Sequence, residues 1–410
     1  MDFRLTDDQE ALRAGMRQLL DRHFGPTALR HAADPLAHHA PNAELTRLWA
    51  ELGAAGLFSL RADESAGGVG LGLPEAVLVF EETGRALLPG PLVATHLAGS
   101  WGLVPGAAEG RVVVTAMDAG RPSPDVTSPP GGTAPDGMLV EHLEAADAVL
   151  VVGDGEVRLL ETTGSDLAGA VKDGEQAGSP PAAAAAPAPV PVRSVDPLSP
   201  LHRVVARPAS DSRPVAGDQE EGPGARRGQR SGDGVGQEPG DGPEERLPTV
   251  AGRGKWLPAV DVPGKWLPTG DADVLRREAG VLTAAQQLGS ARRTLEMAVG
   301  YAREREQFGR PIGTFQAVQH LCAGMLVRAQ TARSAVYAAA VTQESEEAYA
   351  AKLLADEAAT SNARDCLQVF GGMGFTWEAE VHLHLKRAWL RAEQWGTSAA
   401  AEERLAAALL

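Results

Sequence analysis

Helical periodicity holds from Asp271 to the end of this 410-residue sequence and limits the folds that the chain can adopt. One apolar stripe consists of Leu282, Ala285, Leu288, Leu295 and Ala302. The next stripe consists of Val318, Leu321, Met325, Ala329, Ala332, Val336 and Ala339. With further helices over Ala348–Phe370 and about Ala379–Gln394, residues 271–410 are predicted to form a four-helix bundle.

A sharp corner between the first two of these helices is predicted around residues 307–311. Gly309 can adopt a positive φ, and Pro311 cannot continue a helix. Three arginines crowd the corner, and an arginine fork suits the oxygens of a phosphate: Arg303, Arg305 and Arg310. Charge alone leaves two interpretations open, a phosphate site or an exposed charged corner between core helices.

Composition and charge exclude several classes of partner. The formal net charge is −16, so non-specific binding to nucleic acid is not expected, and a phosphate site has to be built locally. The two cysteines, Cys322 and Cys366, fall inside helical patterns and are expected to be free thiols in a reducing compartment.

No apolar run is long enough to span a membrane, and no signal segment is evident, so a cytoplasmic protein is expected. No metal site is predicted.

The N-terminal region, residues 1–110, is predicted to be a helical domain. Thr6 and Gln9 have the spacing of a capping box, and the helix that they begin runs to about His23. Pro26 and Pro35 are expected to bracket a short connection. Further helices are predicted over Glu44–Leu52, from Pro74 to about Leu87, and over Leu92–Gly102.

A small β domain is predicted over residues 111–206. Its first strand is Arg111–Thr115, and Ala148–Val152 forms a hairpin with Glu156–Leu160 across the turn at Gly153-Asp154-Gly155. A loop is predicted over Ser123–Gly137, which is rich in Pro, Ser and Gly.

Residues 207–270 contain too few apolar residues to bury a core and are predicted to be a disordered, Pro/Gly-rich insertion. Within it, Gly254-Lys255-Trp256-Leu257-Pro258 recurs as Gly264-Lys265-Trp266-Leu267-Pro268. The repeat is either a pair of short docking motifs or a duplicated linker. The predicted fold is therefore mostly α with a small β domain: an N-terminal helical domain, a middle β region and a C-terminal four-helix bundle.

Two strings in the bundle resemble the signatures of one family. The first is Tyr301-Ala302-Arg303-Glu304-Arg305-Glu306-Gln307-Phe308-Gly309, and the second is Gln368-Val369-Phe370-Gly371-Gly372-Met373-Gly374-Phe375. In their order and separation they resemble the flavin-binding corner and the other C-terminal signature of the acyl-CoA dehydrogenases. The resemblance covers about residues 1–118 and 272–397, and the middle of the chain matches poorly. Within that middle, Val192–Val205 still looks like the family's last β segment.

The resemblance implies that FAD is the cofactor. By their places in the first motif, four residues look like those that hold the pyrophosphate and adenine ends of FAD: Arg305, Gln307, Phe308 and Gln316. The neighbouring subunit's contribution looks like Gln368, Gly371 and Gly372, which implies an oligomer. Thr397 occupies the place of another cofactor-contacting threonine.

The catalytic base is where the sequence departs from the family. Most members carry a glutamate directly before a Gly-Thr pair, and here Trp395 precedes Gly396 and Thr397. A minority carry it at the start of the helix before the arginine corner, where this sequence has Ala279 with Glu278 adjacent. Glu278 is therefore the candidate base, and an ordinary charge near the helix start is the alternative.

The reaction that the resemblance implies converts an acyl-CoA thioester to a 2-enoyl-CoA. A carboxylate removes the α-proton, and a hydride leaves the β-carbon for the flavin. An electron-transfer flavoprotein is the expected type of electron acceptor. The family's Thr-Glu-Pro…Gly-Ser-Asp loop is replaced by residues 115–120 here, and the nearest positive candidates for CoA are Arg276 and Arg277.

Three functional hypotheses remain open from the sequence. The chain is an acyl-CoA dehydrogenase that acts as a homo-oligomer, or one subunit of a heteromer whose paralogous partner supplies the base. Alternatively, it is a non-catalytic FAD-binding or structural subunit of such a complex. The third hypothesis is a related flavin oxidase.

Overall fold

The computed structural model describes residues 4–34, 43–118, 138–153, 155–161, 190–204 and 271–410. The predicted loop at 123–137 and the predicted insertion at 207–270, with its repeated motif, lie outside the described residues. The predicted fold class is confirmed, because helices dominate and small sheets lie between the two helical regions. The four predicted domain boundaries remain predictions.

The N-terminal region is helical, as predicted. Its helices are α1 (Asp7–His23), α2 (Pro26–Ala33), α3 (Ala43–Ala54), α4 (Leu73–Arg85) and α5 (Leu92–Ser100). The capping box is present, because the Thr6 amide donates to Gln9 Oε1 at 3.1 Å and the Gln9 amide donates to Thr6 Oγ1 at 3.2 Å. Most of α4 is buried, and α1 packs against it.

The expectation of a plain connection after α1 is wrong, since α2 occupies it. Pro26 stands in the first turn of α2, where a missing amide hydrogen costs no hydrogen bond. The helix has an apolar side that contributes Leu29, Ala32 and Ala33 to the core. The proline was therefore a start signal for a helix rather than one end of a loop.

The middle region contains two three-stranded sheets. Their strands are β1 (Val114–Asp118), β2 (Met138–Glu141), β3 (Ala148–Val152), β4 (Val157–Glu161), β5 (Val190–Val192) and β6 (Leu201–Val204). One sheet has the order β1-β3-β4, with β1 parallel to β3, and the predicted hairpin is its antiparallel pair β3-β4. The other sheet has the order β2-β6-β5 and is antiparallel throughout.

The first strand begins later than predicted. The amides of Arg111 and Val112 both donate to the carbonyl of Gly106, so these residues lie in a turn rather than in the sheet. Val114 then opens β1 directly beside Ala148. The apolar run was recognised as a strand, but its first residues close the preceding loop.

The C-terminal region is a helical bundle. Its helices are α6 (Asp271–Glu304), α7 (Gln316–Thr342), α8 (Ser345–Phe370), α9 (Val381–Ala392) and α10 (Ser398–Ala408). The first four are the predicted bundle, and α10 is an additional helix packed on α8. The predicted corner is a two-stranded hairpin, β7 (Glu306–Gln307) and β8 (Arg310–Pro311), between α6 and α7.

Helix α6 is the centre of the molecule. Residues 278–291 are buried on every side of the helix, because α4, α7, α8 and α9 all pack around it. Two glycines allow α4 and α6 to approach closely. A Cβ at Gly84 would lie 2.0 Å from the carbonyl oxygen of Gln286, and one at Gly289 would lie 1.8 Å from that of Glu81.

We predict that Gly289→Ala lowers the free energy of unfolding by about 1–3 kcal/mol, because the added methyl group overlaps the α4 backbone. The matched control is Gly300→Ala on the same helix, where a Cβ meets nothing within 4 Å. The control should be neutral or raise stability by about 0.5–1 kcal/mol. Urea unfolding of both variants measures the difference, and equal effects would contradict the packing described.

Candidate functional site

The hairpin between α6 and α7 presents its side chains to solvent. Phe308 and Gly309 form the turn with φ values of 55° and 75°, so both adopt the left-handed conformation that a tight two-residue hairpin needs. The side chain of Phe308 is 90 % exposed. Arg305 and Gln307 are also exposed. The hairpin therefore exposes an arginine and an aromatic ring at the surface of the described part of the chain.

A glycine turn follows α8. Gly371 has φ 59° and ψ −138°, a combination that is essentially restricted to glycine. A Cβ added at Gly371 or at Gly372 would meet nothing within 4 Å among the described residues. Packing within the described residues therefore does not require a glycine at position 372. The open backbone there would allow a ligand to approach closely. Gln368 is exposed at the end of α8.

One aromatic stack holds the hairpin and the glycine turn at the same end of the bundle. The rings of Tyr301, near the end of α6, and Phe370, the last residue of α8, are stacked with centroids 4.2 Å apart. Arg310 lies over the ring of Phe315 at 4.3 Å. The predicted FAD residues other than Thr397 thus share one end of the molecule, with Gln316 exposed at the start of α7.

Glu278 lies near the other end of α6 in a buried ion pair. Arg61 Nη1 and Nη2 each donate to its carboxylate at 2.7 Å, and Trp101 Nε1 donates at 3.1 Å. The residue is 4 % exposed. Because its oxygens already accept three hydrogen bonds, these contacts favour a structural role for Glu278.

Two side chains of this cluster were missed from the sequence. Arg61 is 217 residues and Trp101 is 177 residues from Glu278, and no local pattern links them. His96 lies close to the same ion pair and is fully buried. Burial lowers the pKa of His96 to about 4, so the ring is neutral near pH 7 and pairs with the carbonyl of Leu57 at 2.7 Å.

The two places where a base is expected converge in space. The carbonyl oxygen of Trp395 lies 3.8 Å from the position of a Cβ on Gly280, next to Ala279. Ala279 is completely buried, and Trp395 packs against the main core. Neither residue can take up a proton.

Thr397 also has a local role. Its hydroxyl accepts a hydrogen bond from the amide of Ala400 at 3.2 Å and so caps α10. It lies two residues from Trp395, on the Glu278 side of the molecule. At about 1.5 Å per residue, the part of α6 between Glu278 and the hairpin spans about 40 Å, so the structure does not bring Thr397 to the hairpin.

Arg276 is held within the chain. It donates to Asp118 Oδ1 at 2.9 Å and to the carbonyl of Gly153 at 2.8 Å, which ties the start of α6 to the ends of β1 and β3. Arg277 is half-buried and makes no hydrogen bond or ion pair within the described part of the chain. Of the two candidates for CoA, Arg277 is therefore the more available.

The described residues contain no cluster of three or more His, Cys, Asp or Glu side chains that could hold a metal ion. None of the helices in the described ranges combines the length and the apolar character that a membrane crossing requires. Cys366 is buried, Cys322 is half-buried, and both thiols are free.

Helical domains on either side of small β-sheets, with an arginine hairpin and an open glycine turn at one end, are the arrangement that the resemblance to a flavoprotein dehydrogenase predicts. The chain matches "Acyl-CoA dehydrogenase, N-terminal domain" over residues 6–105 and "Acyl-CoA dehydrogenase, C-terminal domain" over residues 278–410. These regions together make up more than half of the sequence. The chain belongs to the acyl-CoA dehydrogenase family.

Individual relatives agree with this assignment. The chain is 32 % identical over 404 residues to the acyl-CoA dehydrogenase FadE34 of Mycobacterium tuberculosis. The matched region covers 94 % of this chain but only 45 % of FadE34. It is 28 % identical to the acyl-CoA dehydrogenase IpdE2 of Mycolicibacterium smegmatis, over 94 % of this chain and 93 % of IpdE2. The ChsE4–ChsE5 complex of Mycobacterium tuberculosis shares the fold, with a TM-score of 0.67 at 21 % identity over 100 % of this chain and 99 % of that chain.

Family membership assigns FAD as the cofactor, and the exposed end of the bundle fits it. An arginine, an aromatic ring and open glycine backbone are groups that suit a pyrophosphate and a nucleotide base. The residues that would hold it are Arg305, Gln307, Phe308, Gln316, Gln368, Gly371 and Gly372.

We predict that Glu278→Ala lowers the free energy of unfolding by about 3–5 kcal/mol, since it leaves the Arg61 guanidinium without its partner in a buried site. The control is Glu109→Ala, which removes an exposed pair with Arg111 at 3.3 Å and should cost about 1 kcal/mol or less. Urea unfolding measures both. A small effect of Glu278→Ala would argue that the carboxylate is not structural.

Proposed function

We propose that this chain is a subunit of a heteromeric acyl-CoA dehydrogenase and that a paralogous partner supplies the catalytic base. The observation that carries the proposal is the meeting of Ala279 and Trp395 at the two places where the family carries its glutamate. The complex oxidises an acyl-CoA thioester to a 2-enoyl-CoA. FAD, when bound, accepts the hydride that leaves the β-carbon.

The contacts of Glu278 argue against an internal base. Removal of an α-proton requires a carboxylate oxygen that is free to face the substrate. Here Arg61 engages both oxygens, and Trp101 donates to one of them. Proton uptake would abolish the charge that balances Arg61. Glu278 as the base remains the competing hypothesis.

The placement of the FAD residues supports an oligomer. The hairpin and the glycine turn lie side by side and exposed at one end of the bundle. In a two-fold interface, the hairpin of one subunit would face the glycine turn of its partner, and the glycine turn of the first would face the hairpin of the second. Arg305 of one subunit and Gly371 of the next would then hold the same FAD, with the hairpin side chains binding the pyrophosphate and the nucleotide base.

The relatives also support pairing. The ChsE4–ChsE5 complex is an assembly of two named components. FadE34 is more than twice as long as the part that this chain matches, so it has room for a second unit of the same size. We therefore infer that the partner is a chain of the same fold that carries the missing glutamate.

We predict that Arg305→Gln weakens FAD binding about tenfold or more, because a charge-assisted hydrogen bond to a phosphate contributes about 1.5–3 kcal/mol. Arg303→Gln, at the same exposed corner but outside the predicted FAD set, is the matched control. Flavin absorbance retained by the purified complex gives the readout. Equal losses in both variants, or no flavin in the unaltered complex, would contradict the assignment of the hairpin to FAD.

We predict that the chain alone does not catalyse the reduction of a dye by acyl-CoA, whereas its complex with the partner does. In that complex, Glu278→Gln should keep the rate of dye reduction within about twofold of the unaltered protein. Glutamine keeps the shape of the side chain and part of its hydrogen bonding. The control is the same change in the partner's glutamate before its Gly-Thr pair, which should lower kcat about 10²–10⁴-fold. A comparable loss with Glu278→Gln, in a variant that still assembles and binds flavin, would assign the base to this chain.

A further inference from the structure

Arg387 of α9 joins the three structural regions. Its Nε donates to Asp196 in the middle region, and its Nη1 donates to the carbonyl of Leu88 in the N-terminal region at 3.2 Å. The third nitrogen, Nη2, is buried and has no hydrogen-bond partner among the described residues. A buried guanidinium nitrogen without an acceptor is unfavourable, so an acceptor for Arg387 Nη2 is expected.

Arg387 also lines a small cavity. Its volume is about 10 Å³, close to the minimum that accommodates one water molecule. Buried residues of α4, α6 and α9 line it: Thr83, Gly84, Gln286, Gln287, Ser290, Arg387 and Arg391. The cavity therefore lies between the N-terminal helices and the bundle.

Gln286, which lines the same cavity, carries an unpartnered acceptor. Gln286 Oε1 is buried and receives no hydrogen bond within the described part of the chain. Its Nε2 donates to Thr83 Oγ1 at 3.2 Å, and the Thr83 hydroxyl donates to the carbonyl of Phe80 at 2.9 Å. Because this chain of donors fixes the orientation of the amide, the Gln286 oxygen and not the nitrogen is the atom without a partner.

One unpartnered atom, Arg387 Nη2, is a donor and the other, Gln286 Oε1, is an acceptor, and this difference limits what a bound molecule, here called the guest, can be. Arg387 Nη2 can only donate, so the guest has to accept a hydrogen bond. Gln286 Oε1 can only accept, so the guest also has to donate. A cation is repelled by the guanidinium groups of Arg387 and Arg391, and an anion would face the lone pairs of Gln286. Water satisfies both atoms and fits the volume.

We propose that one water molecule is bound in this cavity as a structural part of the protein. It donates to Gln286 Oε1 and accepts from Arg387 Nη2, and so completes the contacts by which Arg387 links the three regions. The hydroxyl of Ser290, which pairs with His384 Nδ1 at 2.8 Å, lines the same cavity and offers a third contact. Without the water, two buried polar atoms at this junction lose their partner.

A high-resolution crystal structure of the full complex tests the proposal directly. We expect one density peak at hydrogen-bond distance, about 2.7–3.2 Å, from both Gln286 Oε1 and Arg387 Nη2. A crystal soaked in bromide should show no anomalous signal there. An empty cavity would overturn the proposal, and a bromide peak would replace the water by an anion.

Oxygen-17 relaxation dispersion of water gives an independent measurement in solution. Gln286→Met removes the acceptor at nearly constant length, so the signal from long-lived internal water should fall by the equivalent of one molecule. The control is Gln330→Met, an exposed position on α7, which should leave the signal unchanged. An unchanged signal in folded Gln286→Met would contradict the site, and if that variant does not fold, the crystal structure of the unaltered protein decides.

Discussion

The close contact of α4 with α6 is the constraint on which the rest of the structure depends. Two helices can pack this tightly only where side chains are absent, and Gly84 and Gly289 provide those places. The contact brings charged residues of α4 into the interior. Glu81 is 2 % exposed and is held by Arg292 and by the Tyr337 hydroxyl at 3.0 Å. Burial and this carboxylate raise the pKa of Tyr337 to about 12, so the hydroxyl stays a donor.

The same burial around α6 explains the position of Glu278. A carboxylate on a helix that is enclosed on all sides requires a partner, and Arg61 from the loop after α3 provides it. Such a pair contributes little net stability when it forms, but removing one member leaves an uncompensated charge. The architecture thus gives the Glu278 carboxylate two partners, Arg61 and Trp101, directly beside the buried Ala279.

Features with local signals were predictable, and those set by distant contacts were not. The capping box of Thr6 and the long helix α6 follow from residue order, and Pro26 was a start signal that should have indicated α2. The positive φ of Phe308 could not be read from the sequence, because glycine is the usual residue there. The pairing of Arg61 with Glu278 joins residues 217 positions apart and follows only from the packing of α6.

The two ends of α6 are each incomplete in a way that favours a partner. At one end the hairpin and glycine turn expose a charged, aromatic and open-backbone surface that nothing in the described chain covers. At the other end, tryptophan and alanine occupy the places of the base, and the adjacent carboxylate is engaged. About 40 Å of helix separates the two, so no local rearrangement joins them. Under the proposed function, one partner subunit would complete both ends, by presenting its own glycine turn to the hairpin and its own glutamate to the acyl group.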